Sequence, residues 1–339
     1  MAQLKYNIQL EKLCEAMELG ELSSEPKIIT GGLLHKMYAI ETTKGRFAVK
    51  ALNPQIMSRK NVMKNKINSE KIANLLAERI PALSAIKIDG CVVQCVDAQY
   101  YMIFPWVEGV SLGADEINKE HCNIIGDILG KIHTMDLSKL NINKDEVVDE
   151  ELINWNYYLQ QGQKKNLSWV NCINDNIENL CLWNKQALES DKVLSMYRLL
   201  SHRDLDSKNV LWNSGKPIII DWESAGYVNP MQELIEVLMY WSEDSKGCLD
   251  KERFIALLNG YKKVKDIKDV EWKVVLNSGY LGKLEWLQYS LKRSLGIECT
   301  DKEEQQLGTN QVFGTVDSLI NYSRLLPMIE EWLDLKNIN

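Results

Sequence analysis

The run Ser201-His202-Arg203-Asp204-Leu205-Asp206-Ser207-Lys208-Asn209-Val210-Leu211-Trp212, followed by Pro217-Ile218-Ile219-Ile220-Asp221-Trp222-Glu223, limits the possible folds more than any other part of the chain. It sets Asp204, then Asn209 five residues on, then Asp221 at the close of the apolar run Ile218-Ile219-Ile220. Short apolar runs split by polar and glycine residues predict a compact strand–loop–strand unit from Leu199 to Asp221. Oxygen-bearing side chains at a loop and a strand end suit a hard divalent cation such as magnesium, which keeps several waters and takes one or two protein carboxyl groups. Asn209 and Asp221 match that role. Asp204 then stays free to accept a hydrogen bond from a hydroxyl.

The rest of the chain predicts a frame for this unit. Leu10, Leu13, Cys14 and Met17 recur at helical spacing within residues 4–19, with Gly20 as the stop. Ile28 to Leu34, Met37 to Thr42 and Gly45 to Leu52 read as three short strands, the last two joined at Thr43-Lys44-Gly45. An amphipathic helix is expected from about Ser58 to Arg79, closed by Pro81, then strands over Cys91–Val96 and Gln99–Phe104. Beyond Gly109 the pattern turns helical: Ile124, Ile125, Ile128, Leu129 and Ile132 form one stripe, and Met231 to the end reads mostly as helix. Asp136 to Glu150 reads as a polar loop.

Composition narrows the partners. A chain of 339 residues is long for one core and predicts two domains or one bilobal unit. A formal charge of −7 argues against nucleic acid as a partner, since phosphate backbones require a basic face. Eight cysteines without a C-x-x-C pair, and only His35, His121, His133 and His202, offer no zinc cage. Cys91 and Cys95 are expected as buried thiols of a strand. The first residues lack a basic segment leading into an apolar one, and no apolar run approaches ~18 residues, so neither export nor a membrane is expected. A reducing cytoplasm with free thiols is the expected setting.

The order H-R-D-x-x-x-x-N, strand, Asp is the kinase catalytic pattern. With Asp221-Trp222-Glu223 as its continuation, the chain resembles the aminoglycoside phosphotransferase and choline kinase superfamily. The resemblance implies an α+β, bilobal protein-kinase-like fold. A small antiparallel sheet with one long helix would fill residues 1–104, a hinge 105–109, and a larger, mainly helical lobe 110–339. It implies ATP or GTP and magnesium as cofactors, Asp204 as the catalytic group, and Asn209 and Asp221 as metal ligands. Lys50, ending Phe47-Ala48-Val49-Lys50, would hold the α- and β-phosphates, braced by Glu70 or, failing that, Glu78. Gly31-Gly32 stands where the family's phosphate-covering loop lies, though a plain hairpin turn reads equally well. Met102 to Val107 would be the adenine-facing hinge, with Met102, Phe104 and Trp106 at the nucleotide.

Departures from the pattern bear on the acceptor. Asn229-Pro230 follows Asp221 within nine residues and no Ala-Pro-Glu appears, which leaves no peptide platform and points to a small-molecule hydroxyl acceptor. A protein kinase and an idle nucleotide-binding protein of the same fold are the rival readings. Arg203 is expected to pair with Asp206 or Glu223, and His202 to fix the loop by hydrogen bonding. Lys208 reads either as a γ-phosphate contact or as an exposed loop lysine, and Glu233 as a longer substitute for a loop-bracing aspartate. Trp155, Tyr157, Tyr158 and Glu151, with Trp286, Tyr289 and Arg293, would form a wall for an amine-bearing acceptor, or else serve as helix-core aromatics. An aminosugar antibiotic, a choline-like amine, a sugar or an amino alcohol all fit. The oligomeric state is open.

Overall fold

A computed structural model describes residues 5–29, 35–144, 151–297, 299 and 301–334. Gly31 and Gly32 lie outside the described residues. The protein is an α+β chain with an antiparallel N-terminal sheet and a mainly helical C-terminal part.

The first elements are α1 (Leu10–Ala16), β1 (Lys27–Ile29), β2 (Lys36–Thr42) and β3 (Gly45–Ala51), followed by α2 (Pro54–Met57), α3 (Val62–Leu76), β4 (Gln94–Val96) and β5 (Gln99–Pro105). The strands form one antiparallel sheet in the order β1-β2-β3-β5-β4, with Lys50 opposite both Met37 and Met102. Strand alternation sends Val49 and Ala51 into a core with Leu10, Leu13, Ile40 and Tyr101, which leaves Lys50 on the opposite face.

The helix expected over 58–79 is α3 over Val62–Leu76, and a separate short helix, α2, precedes it. Asn53 caps α2 by accepting the Gln55 N–H, with Pro54 in the first turn, and Asn61 at φ +67° starts α3 afresh. Ser58-Arg59-Lys60-Asn61 has no apolar residue to hold a continuous stripe across the break. Cys91 and Cys95, expected to be buried, are exposed, and Gln94 and Val92 take the inward positions instead.

The later elements are α4 (Lys119–Thr134), α5 (Trp155–Lys164), α6 (Val170–Leu194), β6 (Leu199–Ser201), β7 (Val210–Asn213), β8 (Lys216–Ile219), β9 (Gly226–Val228), α7 (Pro230–Ser242), α8 (Lys251–Lys262), α9 (Trp272–Ser278), α10 (Leu281–Ser294) and α11 (Lys302–Asp334). They fall into two compact units. One comprises residues 1–143, 200–227 and 240–265; the other 144–199, 228–239 and 266–339. Residues 105–109 thus lie inside the first unit, because hydrogen bonds on both sides of them join the sheet region to the β7–β8 hairpin. Ile219 donates to the Pro81 carbonyl and accepts from Leu83 N–H, both at 2.8 Å, while Val110 and Trp212 exchange backbone bonds at 3.1 and 2.8 Å.

Within the first unit α4 and α8 cross at two glycines. A Cβ on Gly126 would fall onto the Leu257 carbonyl, and one on Gly260 onto the Asn123 carbonyl. Backbone cannot yield as a flexible side chain can, so Gly260→Ala is expected to destabilise the fold by about 1–3 kcal/mol, read as a lower denaturant midpoint. An unchanged midpoint would show that the helices separate freely.

The second unit is built on Trp155, Tyr158, Trp169, Trp183, Tyr280, Leu284, Leu287, Val312, Leu319 and Tyr322. Trp183 stacks on Tyr280 at 5.2 Å, and Tyr280 meets Tyr322 edge-on at 4.9 Å. No helix among the described residues is long and apolar enough to cross a membrane.

All eight cysteines are free thiols. Burial pushes the Cys122 thiol up to about 12 and raises Cys14 as well. At pH 8 a thiol reagent should therefore label Cys91, Cys95, Cys181 and Cys248 in the native protein, and Cys14 and Cys122 only on unfolding. Mass mapping of labelled peptides checks this, and prompt native labelling of Cys122 would contradict it.

Candidate active site

The loop between β6 and β7 is held by its own residues. His202 is fully buried, with Nε2 donating to the Ile220 carbonyl at 3.0 Å and Nδ1 accepting the Asp204 N–H at 3.2 Å. Its ring meets Trp222 edge-on at 4.5 Å. Trp241 Nε1 donates to the Leu205 carbonyl at 2.9 Å, so the loop is pinned on both flanks. Arg203 at φ +65° and Asp221 at φ +59° occupy the left-handed region, unusual for such residues and common where a site demands a fixed direction.

This frame brings Asp204 and Asn209 together. Asn209 Nδ2 donates to the Asp204 carbonyl at 2.8 Å and to Asp204 Oδ2 at 2.9 Å, so the amide nitrogen is committed, and among the described residues Oδ1 has no hydrogen-bond partner. Ile220 N–H to the Asn209 carbonyl, at 2.9 Å, ties the loop to the residue before Asp221.

Lys50 reaches across to Asp221. Its Nζ lies 2.8 Å from Asp221 Oδ1 and 3.0 Å from Glu223 Oε2. Burial would lower its pKa, but the two carboxylates outweigh that and raise it, so the ammonium stays charged. The expected partner Glu70 is not the one found: no Lys50–Glu70 ion pair forms. Glu70 instead accepts the Ala85 N–H at 2.6 Å, and burial raises its carboxyl pKa. Glu78 lies exposed beyond the end of α3.

Two residues to which the sequence reading gave no role, Lys66 and His35, stand beside this pair at Glu223. Lys66 Nζ lies 2.5 Å from Glu223 Oε2, and His35 Nε2 lies 3.5 Å from the same oxygen. Burial would raise the Glu223 pKa, but Lys50 and Lys66 more than offset it and hold the carboxyl at about 2. Burial, then Lys66, holds His35 at about 4, so the ring is neutral near pH 7, and its Nδ1 accepts the Asn53 N–H at 3.0 Å. Burial also lowers the Lys66 pKa, only partly offset by Glu223. The signal for Lys66 was its place on the buried face of α3, with Ser69, Glu70 and Ala73 at helical spacing.

The remaining expected residues divide. Met102 is buried with Leu52, Ala85 and Val92, and Phe104 packs against that cluster. Trp106 is stacked under Arg46 at 3.9 Å and bonded through Nε1 to Glu108 at 2.8 Å. Lys208 is an exposed loop lysine, 3.1 Å from Asp206 and 3.5 Å from Asp204. The Arg203 guanidinium packs against Gly226, and Glu233 is buried in the first turn of α7. The aromatic wall does not assemble as one surface. Trp155 and Tyr158 belong to the core of the second unit, while Tyr157, Trp286 and Tyr289 are exposed and Arg293 is buried, 5.4 Å from the Tyr289 ring. Trp286 lines a groove with Lys283, Gln311 and Thr315, and the lysine there does not favour a cation.

The donor set fits a magnesium ion. Among the described residues Asn209 Oδ1 and Asp221 Oδ2 each meet no hydrogen-bond partner while the other atom of the group is tied down, and oxygen ligands of this kind are what the ion takes. Among the described residues no group of three or more His, Cys, Asp or Glu side chains forms a metal cluster.

Residues 25–267 match the profile of a family described as phosphotransferase enzymes. No curated protein sequence matches significantly. Among solved structures, a spectinomycin phosphotransferase in complex with ADP and spectinomycin aligns at TM-score 0.67 and 14% identity, covering 94% of this chain and all of that one. An amicoumacin kinase in complex with AMP-PNP, calcium and its ligand aligns at 0.62 and 13%, covering 91% and 93%. A choline kinase from Cryptosporidium parvum aligns at 0.53 and 14%, covering 96% and 99%. At these identities the likeness to solved structures concerns the fold.

Proposed function

The chain belongs to the phosphotransferase enzyme family and is a small-molecule kinase, and from that premise we propose that it transfers the γ-phosphate of ATP or GTP to a hydroxyl of an amine-bearing small molecule. The observation that supports this reading is two pairings within one compact unit, Lys50 with Asp221 and Asp204 with Asn209, linked by the Ile220 N–H bond to the Asn209 carbonyl. ADP and AMP-PNP in the neighbouring structures favour ATP as donor.

In this reading Asp204 accepts the proton of the acceptor hydroxyl and aims its oxygen at the phosphate. Lys50 holds phosphate oxygens, with Glu223 fixing its ammonium. Met102, Phe104 and Trp106 line the nucleotide's base side of the sheet. Asn209 Oδ1 and Asp221 Oδ2 would hold magnesium, which when bound neutralises charge on the phosphates. Gly31 and Gly32 remain the candidates for covering them. Lys208 is available to the transferred group or to Asp204 and Asp206 alone.

An acceptor with a positive nitrogen is supported by the chain's acidity and by the amines that neighbours' names print, among them choline and ethanolamine. Only Trp222 to Asn229 separate Asp221 from α7, which favours a small acceptor over a peptide. Free thiols throughout are what a reducing cytoplasm maintains.

Nucleoside-diphosphate release, measured with ATP and with GTP over a panel of aminoglycosides, amino alcohols, quaternary amines, neutral sugars and peptides, tests the proposal. Amine-bearing hydroxyl compounds should be phosphorylated with magnesium present. Turnover confined to peptides, or none with any acceptor, would refute it.

A further inference from the structure

We infer that Lys66 is a positioning residue for the nucleotide, acting through Glu223 on Lys50 in place of a Lys50–Glu70 pair. The inference rests on the phosphotransfer reading and deepens it.

The geometry is a relay. Glu223 Oε2 is shared by Lys66 at 2.5 Å, Lys50 at 3.0 Å and His35 at 3.5 Å. Lys50 in turn lies 2.8 Å from Asp221 Oδ1. Each outer donor is itself fixed. Lys66 projects from the middle of α3 with its side chain 8% exposed, and His35 is oriented by the Asn53 N–H on Nδ1. Since Nδ1 accepts that bond, the neutral ring carries its proton on Nε2, the atom that faces Glu223 and, among the described residues, has no hydrogen-bond partner within ordinary range. All three nitrogens crowd one oxygen, so the carboxylate has a single defined orientation.

Glu70, one turn further along α3, feels the charges of Lys50 and Lys66 but forms no ion pair with Lys50. It spends its carboxylate on the Ala85 N–H. The helix that would brace Lys50 directly therefore does so at one remove, by setting the carboxylate that sets Lys50. Without Lys66, Glu223 would follow Lys50 wherever it moved, and the Lys50 ammonium would lose its fixed place when phosphate oxygens compete for it. A buried charge pair of this kind is costly to break and sensitive to shape.

The test is calorimetric titration of the full-length protein with ADP and magnesium, beside its thermal midpoint. K66M should weaken ADP binding about tenfold, the worth of one charge-assisted hydrogen bond. K66R should recover affinity to within about threefold, because its guanidinium reaches the same oxygen. E70Q should stay within about threefold of the unaltered protein. K66M/E223Q should bind no more weakly than the poorer single variant, since both cut one relay. Should K66M fold poorly, E223Q and K66R carry the comparison. Affinity unchanged in K66M, or in E223Q where K66M does not fold, overturns the inference alone. So does an E70Q loss as large as that of K66M. Failure of the unaltered protein to bind ADP at all overturns the phosphotransfer reading and this inference with it.

Discussion

Asp204→Ala should lower kcat by about 10²–10⁴-fold while ADP affinity stays within about threefold. The separation follows from how the loop is wired. Asn209 Nδ2 bonds both the main-chain carbonyl and the side chain of Asp204, and the carbonyl bond at 2.8 Å survives the substitution. Asn209 Oδ1 therefore keeps its direction, and so does the loop, which His202 and Trp241 hold independently. What disappears is the acceptor for the hydroxyl proton. Steady-state kinetics and calorimetry on one preparation decide the matter. Full turnover in the variant would remove Asp204 from the chemistry, and a collapse of ADP binding would assign it to the nucleotide instead.

Asp221→Asn should be more damaging, because Asp221 serves two partners. Its Oδ1 meets Lys50 at 2.8 Å and its Oδ2 is the proposed metal ligand. Asparagine tolerates φ +59° about as well as aspartate, so the change removes charge with little added backbone strain. Turnover should fall by at least about 10³-fold, as for loss of a principal electrostatic contact. Magnesium should also cease to tighten ADP binding. Titrations with and without magnesium chloride read this directly. A magnesium effect of undiminished size would place the ion elsewhere.

The sequence was most legible where chemistry requires fixed residue types at fixed spacing. His202 to Asn209 and the apolar run into Asp221 predicted a loop and strand end, and the structure sets those residues against one another. Lys50 was legible from the run Phe47-Ala48-Val49-Lys50 and the resemblance it carries, and strand alternation in the structure sets it on the face opposite Val49 and Ala51. Glu70 was misread for a physical reason. Periodicity identifies the face of a helix but not which turn along its axis meets a given neighbour, and Lys66 occupies the turn that meets Glu223. The break at Asn61 depends on a left-handed residue, a choice that asparagine permits but does not announce. The aromatic wall failed because helical spacing alone cannot separate a residue facing a ligand from one facing the core, and Trp155 and Tyr158 face the core.

The two bonds that Ile219 makes with Pro81 and Leu83 have a consequence for dissecting the molecule. The stretch 105–109 invites a cut, as though the sheet region were a cassette that could be lifted out. Severing the polypeptide there would part Pro81 and Leu83 from Ile219, their strand-like partner, while Val110 would stay with Trp212 on the far side of the cut. The sheet region is thus completed by a piece of chain translated far downstream, and its assembly must wait for that piece to emerge.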